Sequence, residues 1–199
     1  VGHGLTVADL ESISFHTKKD SSVPADHDWW VTVYTKLQND ADDSGSWYDS
    51  RLHARPDVGY GSDSFTYDAW NLWSTDAEAS STNQLLFYDS GRDWHGYYRS
   101  LSGIAAGSVT WGNGETHDYS GEEIKAITLQ TDSGWDGFDG FVDGLTIELE
   151  DGRIGQVNLI NEPEMSLQIS DPGWLTTCET DEITVDILMT ANGFNGVEF

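Results

Sequence analysis

Positive charge is the scarcest commodity in this chain. Only 9 Lys and Arg stand against 35 Asp and Glu, giving a formal net charge of −26 over 199 residues. Binding to phosphate backbones needs clustered cations, so nucleic acid and anionic membranes are excluded as partners. Cys178 is the lone cysteine and reads as a small buried hydrophobe. An intrachain disulfide framework and a CxxC metal or redox site are therefore ruled out. No window approaches the ~18 apolar residues of a helical membrane span. The six His (3, 16, 27, 53, 95 and 117) lack metal-ligand spacing, and no nucleophile-elbow motif is present. Helical periodicity is almost missing as well. The first residues, Val1-Gly2-His3-Gly4, carry neither an initiating Met nor a basic-then-apolar leader, as expected of a trimmed, exported chain.

Aromatic residues are plentiful. Nine Trp, eight Tyr and seven Phe supply a sizeable core, which sets the chain apart from disordered acidic sequences. The carboxylates are scattered rather than gathered into a tail. A solvated acidic shell on an aromatic core suits concentrated salt, where the Debye length falls to roughly 3 Å at 1 M and self-repulsion is screened. A halophile's secreted or cell-surface protein is the expectation.

Period-two alternation recurs along the chain. It predicts strands over Leu5–Thr17, Trp29–Gln38, Ser46–Arg55, Phe65–Thr75, Gln84–Asp89, Glu122–Thr131, Phe141–Glu150, Arg153–Ile160, Met165–Ser170 and Glu182–Met189, with one short helical turn at Ser100–Ala106. Asp151-Gly152 sits between two alternating runs and predicts a hairpin with a type I′ turn. Short strands and tight turns predict an all-β fold, a two-sheet antiparallel jelly-roll sandwich. A break near Pro163 divides residues 1–162, the sandwich, from residues 163–199. That last segment would complete the same sandwich, open another domain, or donate a strand to a neighbouring copy.

Alternation also assigns faces. In Trp29–Leu37 the core stripe is Trp29, Val31, Val33 and Leu37, so Trp30 and Tyr34 point outward. In Phe141–Leu149 the stripe is Phe141, Asp143, Leu145, Ile147 and Leu149, and in Asp9–Thr17 it includes Glu11, Ile13 and Phe15. Glu11 and Asp143 thus face inward, where a bare carboxylate is costly unless paired, hydrogen-bonded or bound to a cation. Ca²⁺, which takes six to eight oxygens, suits such a place. Backbone N–H groups or an Arg would satisfy the same carboxylates. The loop Asp132-Ser-Gly-Trp-Asp-Gly-Phe-Asp139-Gly140 adds Asp139 as a third candidate metal ligand. Asp40-Ala-Asp-Asp-Ser-Gly45 opens like an EF-hand loop but has Arg51 where the closing Glu belongs.

Gly140-Phe-Val-Asp-Gly-Leu-Thr-Ile147 resembles the last-strand pattern of galactose-binding-like jelly rolls, a group that includes carbohydrate-binding modules of secreted glycanases. The wider pattern, with Trp47-Tyr48-x-Ser50-Arg51, Trp73-Ser-Thr-Asp76 and Leu86-Phe-Tyr-Asp89, is similar to domains of prokaryotic surface proteins over about 130 residues. The resemblance implies a structural Ca²⁺ held by Asp143 and Glu11. It has no counterpart after Pro163.

Exposed rings stack on pyranose faces while polar neighbours bond the hydroxyls. Trp30, Tyr34, Trp47, Tyr67, Trp70, Trp73, Trp94, Tyr97 and Tyr98 are candidates. The loop Gly91-Arg92-Asp93-Trp94-His95-Gly96-Tyr97-Tyr98-Arg99 mixes rings and polar groups most densely. The expected site is therefore Trp30, Tyr34, Arg92, Asp93, Trp94, His95, Tyr97 and Tyr98, and an acidic surface favours a neutral glycan. The expected function is non-catalytic carbohydrate binding. A filament, sheath or adhesin subunit that polymerises through residues 164–199 is the alternative. A glycan-cleaving enzyme is a third reading, since Glu148 and Glu150 share one strand face at a carboxylate spacing that glycosidases use; the strand lacks the third acidic residue of a Glu-x-Asp-x-Glu pattern, and a solvated hairpin edge is the preferred account.

Overall fold

The computed structural model describes residues 4–36, 50–56, 65–76, 83–92, 97–132, 134–157, 159 and 167–170. Ten-residue strand β1 (Leu10–Lys19) follows a single 3-10 turn at Val7–Asp9. After it come β2 (Trp30–Tyr34), β3 (Arg51–Ala54), β4 (Asn71–Ser74) and β5 (Phe87–Asp89). Helix α1 (Leu101–Ala105) leads to β6 (Ser108–Thr110), β7 (Thr116–Asp118), β8 (Ala126–Gln130), β9 (Gly140–Leu149), β10 (Ile154–Val157) and β11 (Leu167–Ser170). The fold is all-β. A five-stranded sheet in the order β11-β10-β9-β1-β4 and a four-stranded sheet in the order β5-β3-β2-β8 pair antiparallel throughout, beside a small β6-β7 hairpin that alternation alone did not reveal.

The two sheets share one apolar core. Ile13 and Phe15 of β1, Trp73 of β4 and Leu145 of β9 cluster with Val31 and Val33 of β2, Leu52 of β3 and Leu129 of β8. Helix α1 caps this core with Leu101 and Ile104, one turn apart on its buried side. Its first turn is closed by the Ser100 hydroxyl, which accepts from the Gly103 N–H at 3.1 Å.

Two irregularities decide which side chains face that core. On β9, Gly144 and Leu145 together oppose Phe15, because His16 pairs with Asp143 while Ser14 pairs with Thr146. Gly144 takes φ +62, as a glycine-led bulge requires, and a Cβ there would meet His16 Nδ1 at 3.2 Å. The alternation therefore flips. Val142 points inward and Phe141, expected in the core, is 55% exposed. On β1, Glu11 is the extra residue of a second bulge, since Leu10 pairs with Leu149 and Ser12 with Glu148. Its side chain is exposed, which corrects its inward assignment.

The β9–β10 hairpin forms where Asp151-Gly152 predicts it, but the turn is not type I′. Only Gly152 has a positive φ, +82, and its N–H donates to Leu149 O at 2.8 Å while Leu149 N–H donates to Arg153 O at 2.9 Å. This is a three-residue loop of the type I plus glycine-bulge kind. Beyond it, β11 adds to β10 as the sheet's edge, so at least residues 167–170 pair within this chain. The break near Pro163 and the run Glu182–Met189 lie outside the described residues.

Candidate functional site

Among the described residues the carboxylates that face inward are Asp28 and Asp89, and each is met as low-dielectric burial demands. Lys19 ends β1 with its side chain 1% exposed. Its ammonium donates to the carbonyls of His27 at 2.7 Å and Ala25 at 2.8 Å, lies 3.4 Å from that of Pro24, and sits 3.6 Å from Asp28 Oδ2. The Phe65 ring closes the cage 4.1 Å away. Asp28 in turn accepts from the Trp29 N–H and the Thr17 hydroxyl. Burial pushes the Asp28 carboxyl above its ordinary pKa, with the Lys19 charge and these hydrogen bonds opposing the rise.

Arg92, expected in a recognition loop, is instead spent on Asp89. Its Nη1 donates to Asp89 Oδ2 at 2.7 Å and to the Tyr119 hydroxyl at 3.0 Å, and the Tyr119 hydroxyl donates to the same carboxylate. Asp89 Oδ1 accepts from the backbone N–H groups of Gly91 and Arg92. The neighbouring candidates Asp93, Trp94 and His95 lie outside the described residues, as does Trp47.

Trp30 and Tyr34 project from β2 on the side away from Val31 and Val33, as alternation predicts, yet Trp30 is only 7% exposed. Trp135 meets it edge-on with ring centroids 5.2 Å apart, and the Arg55 guanidinium lies 4.8 Å above its ring. His27 stacks on Trp135 at 4.4 Å. Trp30 is a covered ring rather than an open platform, because that face of the four-stranded sheet is buried from Thr128 through Thr32 and His53 to Tyr88. Tyr34 donates to Gln130 Oε1 at 3.3 Å. Tyr98 packs edge-on against Tyr88. Tyr97 is 51% exposed, with the Arg99 guanidinium over its ring. Trp73 belongs wholly to the core, its indole N–H donating to Thr17 Oγ1 at 2.8 Å.

The proposed metal ligands do not converge. Asp143 lies opposite His16 on the outer side of the five-stranded sheet, where its Oδ1 accepts the Leu159 N–H at 2.7 Å. Glu11 lies five residues along β1 from that His, roughly 17 Å at strand rise. Asp139 is exposed, and among the described residues no three His, Cys, Asp or Glu side chains gather as a metal cluster. These residues do not fit a shared Ca²⁺. Glu11 instead meets Glu150, whose hydrogen bond and charge push the Glu11 carboxyl above its usual range, with Asp76 adding to the effect. Glu150 lies past the end of β9, while Glu148 on β9 accepts from the Ser12 hydroxyl. A carboxyl raised in the native state binds its proton more readily folded than unfolded. This one group's contribution to stability is thus fullest near and below pH 4.5 and falls as pH climbs through the raised value. Glu11→Gln is expected to raise the melting temperature in dilute neutral buffer and to lose that gain in molar salt. A gain indifferent to salt would show that repulsion is not the cause.

Open aromatic surface occurs on the other sheet. Trp70 and Leu72 are each 44% exposed while their neighbours Asn71 and Trp73 are buried. Leu72 pairs with His16 of β1, and the pairing ends at Thr17–Asn71, so Trp70 lies just past the last pair. On the far side of β1, Lys18 pairs with Phe141. Lys18 and Phe141 therefore share one row of the outer face, and Trp70 precedes β4 at the same end of the sheet. The next row reads Leu72, His16, Asp143, and the one after it carries Ser14 and Thr146.

Comparison with family models, with curated proteins and with solved structures gave no match.

The face must therefore be read from its own chemistry. Two open rings, Trp70 and Phe141, lie at one end of the outer face, with exposed Leu72 opposite His16 in the neighbouring row. Alternation in Trp70-Asn-Leu-Trp73 was the available signal for one half of it. The other half, Phe141, was hidden by the bulge at Gly144. Among the described residues no helix is long and apolar enough to cross a membrane.

Proposed function

We propose that this protein is a non-catalytic carbohydrate-binding β-sandwich, secreted or displayed at the surface of a salt-adapted cell, which grips a glycan on the outer face of its five-stranded sheet. The observation that carries this reading is the exposure of Trp70 (44%) and Phe141 (55%) at one end of the five-stranded sheet, near the outward polar residues of β1 and β9. Ring faces stack on the C–H faces of pyranoses, and Ser14, His16, Thr146 and Asp143 sit on the same face to bond hydroxyls. An aromatic anchor of this kind contributes more than about 1 kcal/mol to binding when it is engaged. The net charge of −26 fits operation in concentrated salt, where the glycan, unlike an ion pair, keeps its stacking energy.

Affinity electrophoresis through immobilised polysaccharides in molar salt tests the assignment. The parent protein is expected to be retarded by at least one polymer, and Trp70→Ala and Phe141→Ala each to weaken that retention by about tenfold. Tyr97→Ala should leave it unchanged. Retention lost with Tyr97→Ala but not with Trp70→Ala would move the site to the 91–99 loop. Passage through every gel would overturn the carbohydrate reading.

A further inference from the structure

Lys18 gives the proposed binding face a chemical preference. The chain has nine cationic side chains, and eight of them are engaged. Lys19 is caged, Lys125 pairs with Glu123, Arg153 with Asp151 and Arg92 with Asp89. Arg51, Arg55 and Arg99 donate to Ser90, Asp26 and Thr110 respectively, and Lys36 has an interaction of its own. The Lys18 ammonium has no hydrogen-bond, ion-pair or ring partner among the described residues, in a protein where carboxylates outnumber cations almost four to one. It also pairs with Phe141, at the end of β1 nearest Trp70.

We infer that the ligand is a largely neutral glycan carrying an isolated carboxylate, a uronic acid residue, which Lys18 receives while the flanking sugars lie on Trp70 and Phe141. This rests on the carbohydrate reading above and narrows its ligand. A sugar chain stacked on Phe141 and reaching toward Trp70 passes β1 near Lys18, so a carboxylate there meets the one cation without a partner among the described residues. Its charge-assisted hydrogen bond is stronger than a neutral one and gains from the apolar Phe141 ring opposite Lys18. The surrounding charge sets the limit to a single acid group. Asp143 shares the face, and Asp20 and Asp68 lie just past the end of β1, where Asp68 N–H donates to Lys19 O at 2.9 Å. A densely acidic polymer would meet these carboxylates and the field of the whole protein. The acidic surface, which favours neutral glycans in general, is thus locally reversed at one point.

The test uses the full chain and matched probes: glucuronoxylan and a highly methyl-esterified pectin, each beside its own carboxyl-reduced form, at moderate and at molar salt. The expected result is tighter retention of an acid form than of its reduced partner by roughly fivefold at moderate salt, narrowing as salt rises. Lys18→Gln should erase that difference while leaving the reduced form's retention intact, and Trp70→Ala should weaken both forms. Equal retention of acid and reduced forms, or a preference that survives Lys18→Gln, would overturn the uronate assignment and leave the aromatic platform standing. No retention of any form would overturn both. A thermal melt of Lys18→Gln that matches the parent confirms that the loss is one of recognition.

Discussion

Replacing Lys19 with Met is expected to destabilise the folded state by about 3–5 kcal/mol, the range for removing one partner of a buried ion pair. The substitution keeps the apolar stem but removes the charge that offsets Asp28 and the donors that satisfy the carbonyls of Ala25 and His27. Those groups are then left buried without their partner, and an orphaned acceptor costs more than the hydrogen bond was worth. In a domain of this size the change corresponds to a fall in melting temperature of roughly 10 °C or more. The companion is Lys19→Met with Asp28→Asn. It removes the uncompensated carboxylate and should recover part of the loss, so the two changes are non-additive. Urea unfolding of parent, both single variants and the double variant, in constant high salt, measures this. Strict additivity, or a loss below about 1 kcal/mol for Lys19→Met, would show that the cage does not hold the 20–28 segment.

That cage also shows how far the sequence could be read. Local pattern identified the sandwich, most of β1 and the helical turn after Ser100, because each depends on neighbours within a few residues, although the predicted first strand stopped at Thr17, two residues short of Lys19. It also posed the right question about inward carboxylates, and then asked it of the wrong residues. Glu11 and Asp143 were displaced by bulges, and a bulge depends on what the partner strand does opposite. Only Gly144 hinted at one, and glycine has many other uses. Asp28 and Asp89 were overlooked because each is stabilised by a partner whose approach is tertiary: the side chain of Lys19 folding back on its own loop, and Tyr119 arriving from 30 residues away. The binding face divided in the same manner. Trp70 was one of nine candidate rings, not part of the expected site and not separated from core Trp73, whereas the burial of Trp30 required Trp135 to cross from another part of the chain. Periodicity assigns a side chain to a face; it does not reveal what covers that face.

Asp89 and Tyr119 yield the second large effect, and it depends on pH. Burial, followed by the charge of Asp89, pushes the Tyr119 phenol well above its ordinary pKa of 10.0. In the unfolded chain the phenol ionises near that ordinary value, whereas in the native state it keeps its proton. The folded form therefore binds more protons at alkaline pH. The contribution is complete below pH about 10 and is lost as pH rises beyond it, at up to about 1.4 kcal/mol per unit. Tyr119→Phe is expected to cost about 1.5–3 kcal/mol at neutral pH, the range for a hydrogen bond to a charged group, while Arg92 and two backbone N–H groups still hold the carboxylate. Above pH 10 the difference should shrink, because the variant has no phenol whose ionisation favours unfolding. Measured as unfolding free energy from pH 8 to 11, parent and Tyr119→Phe curves should thus converge. Parallel curves would mean that Tyr119 titrates alike in both states and that the buried carboxylate does not govern it. Asp89→Asn separates the two causes: it removes the charge but leaves the burial, so the alkaline slope should persist while the neutral-pH stability falls.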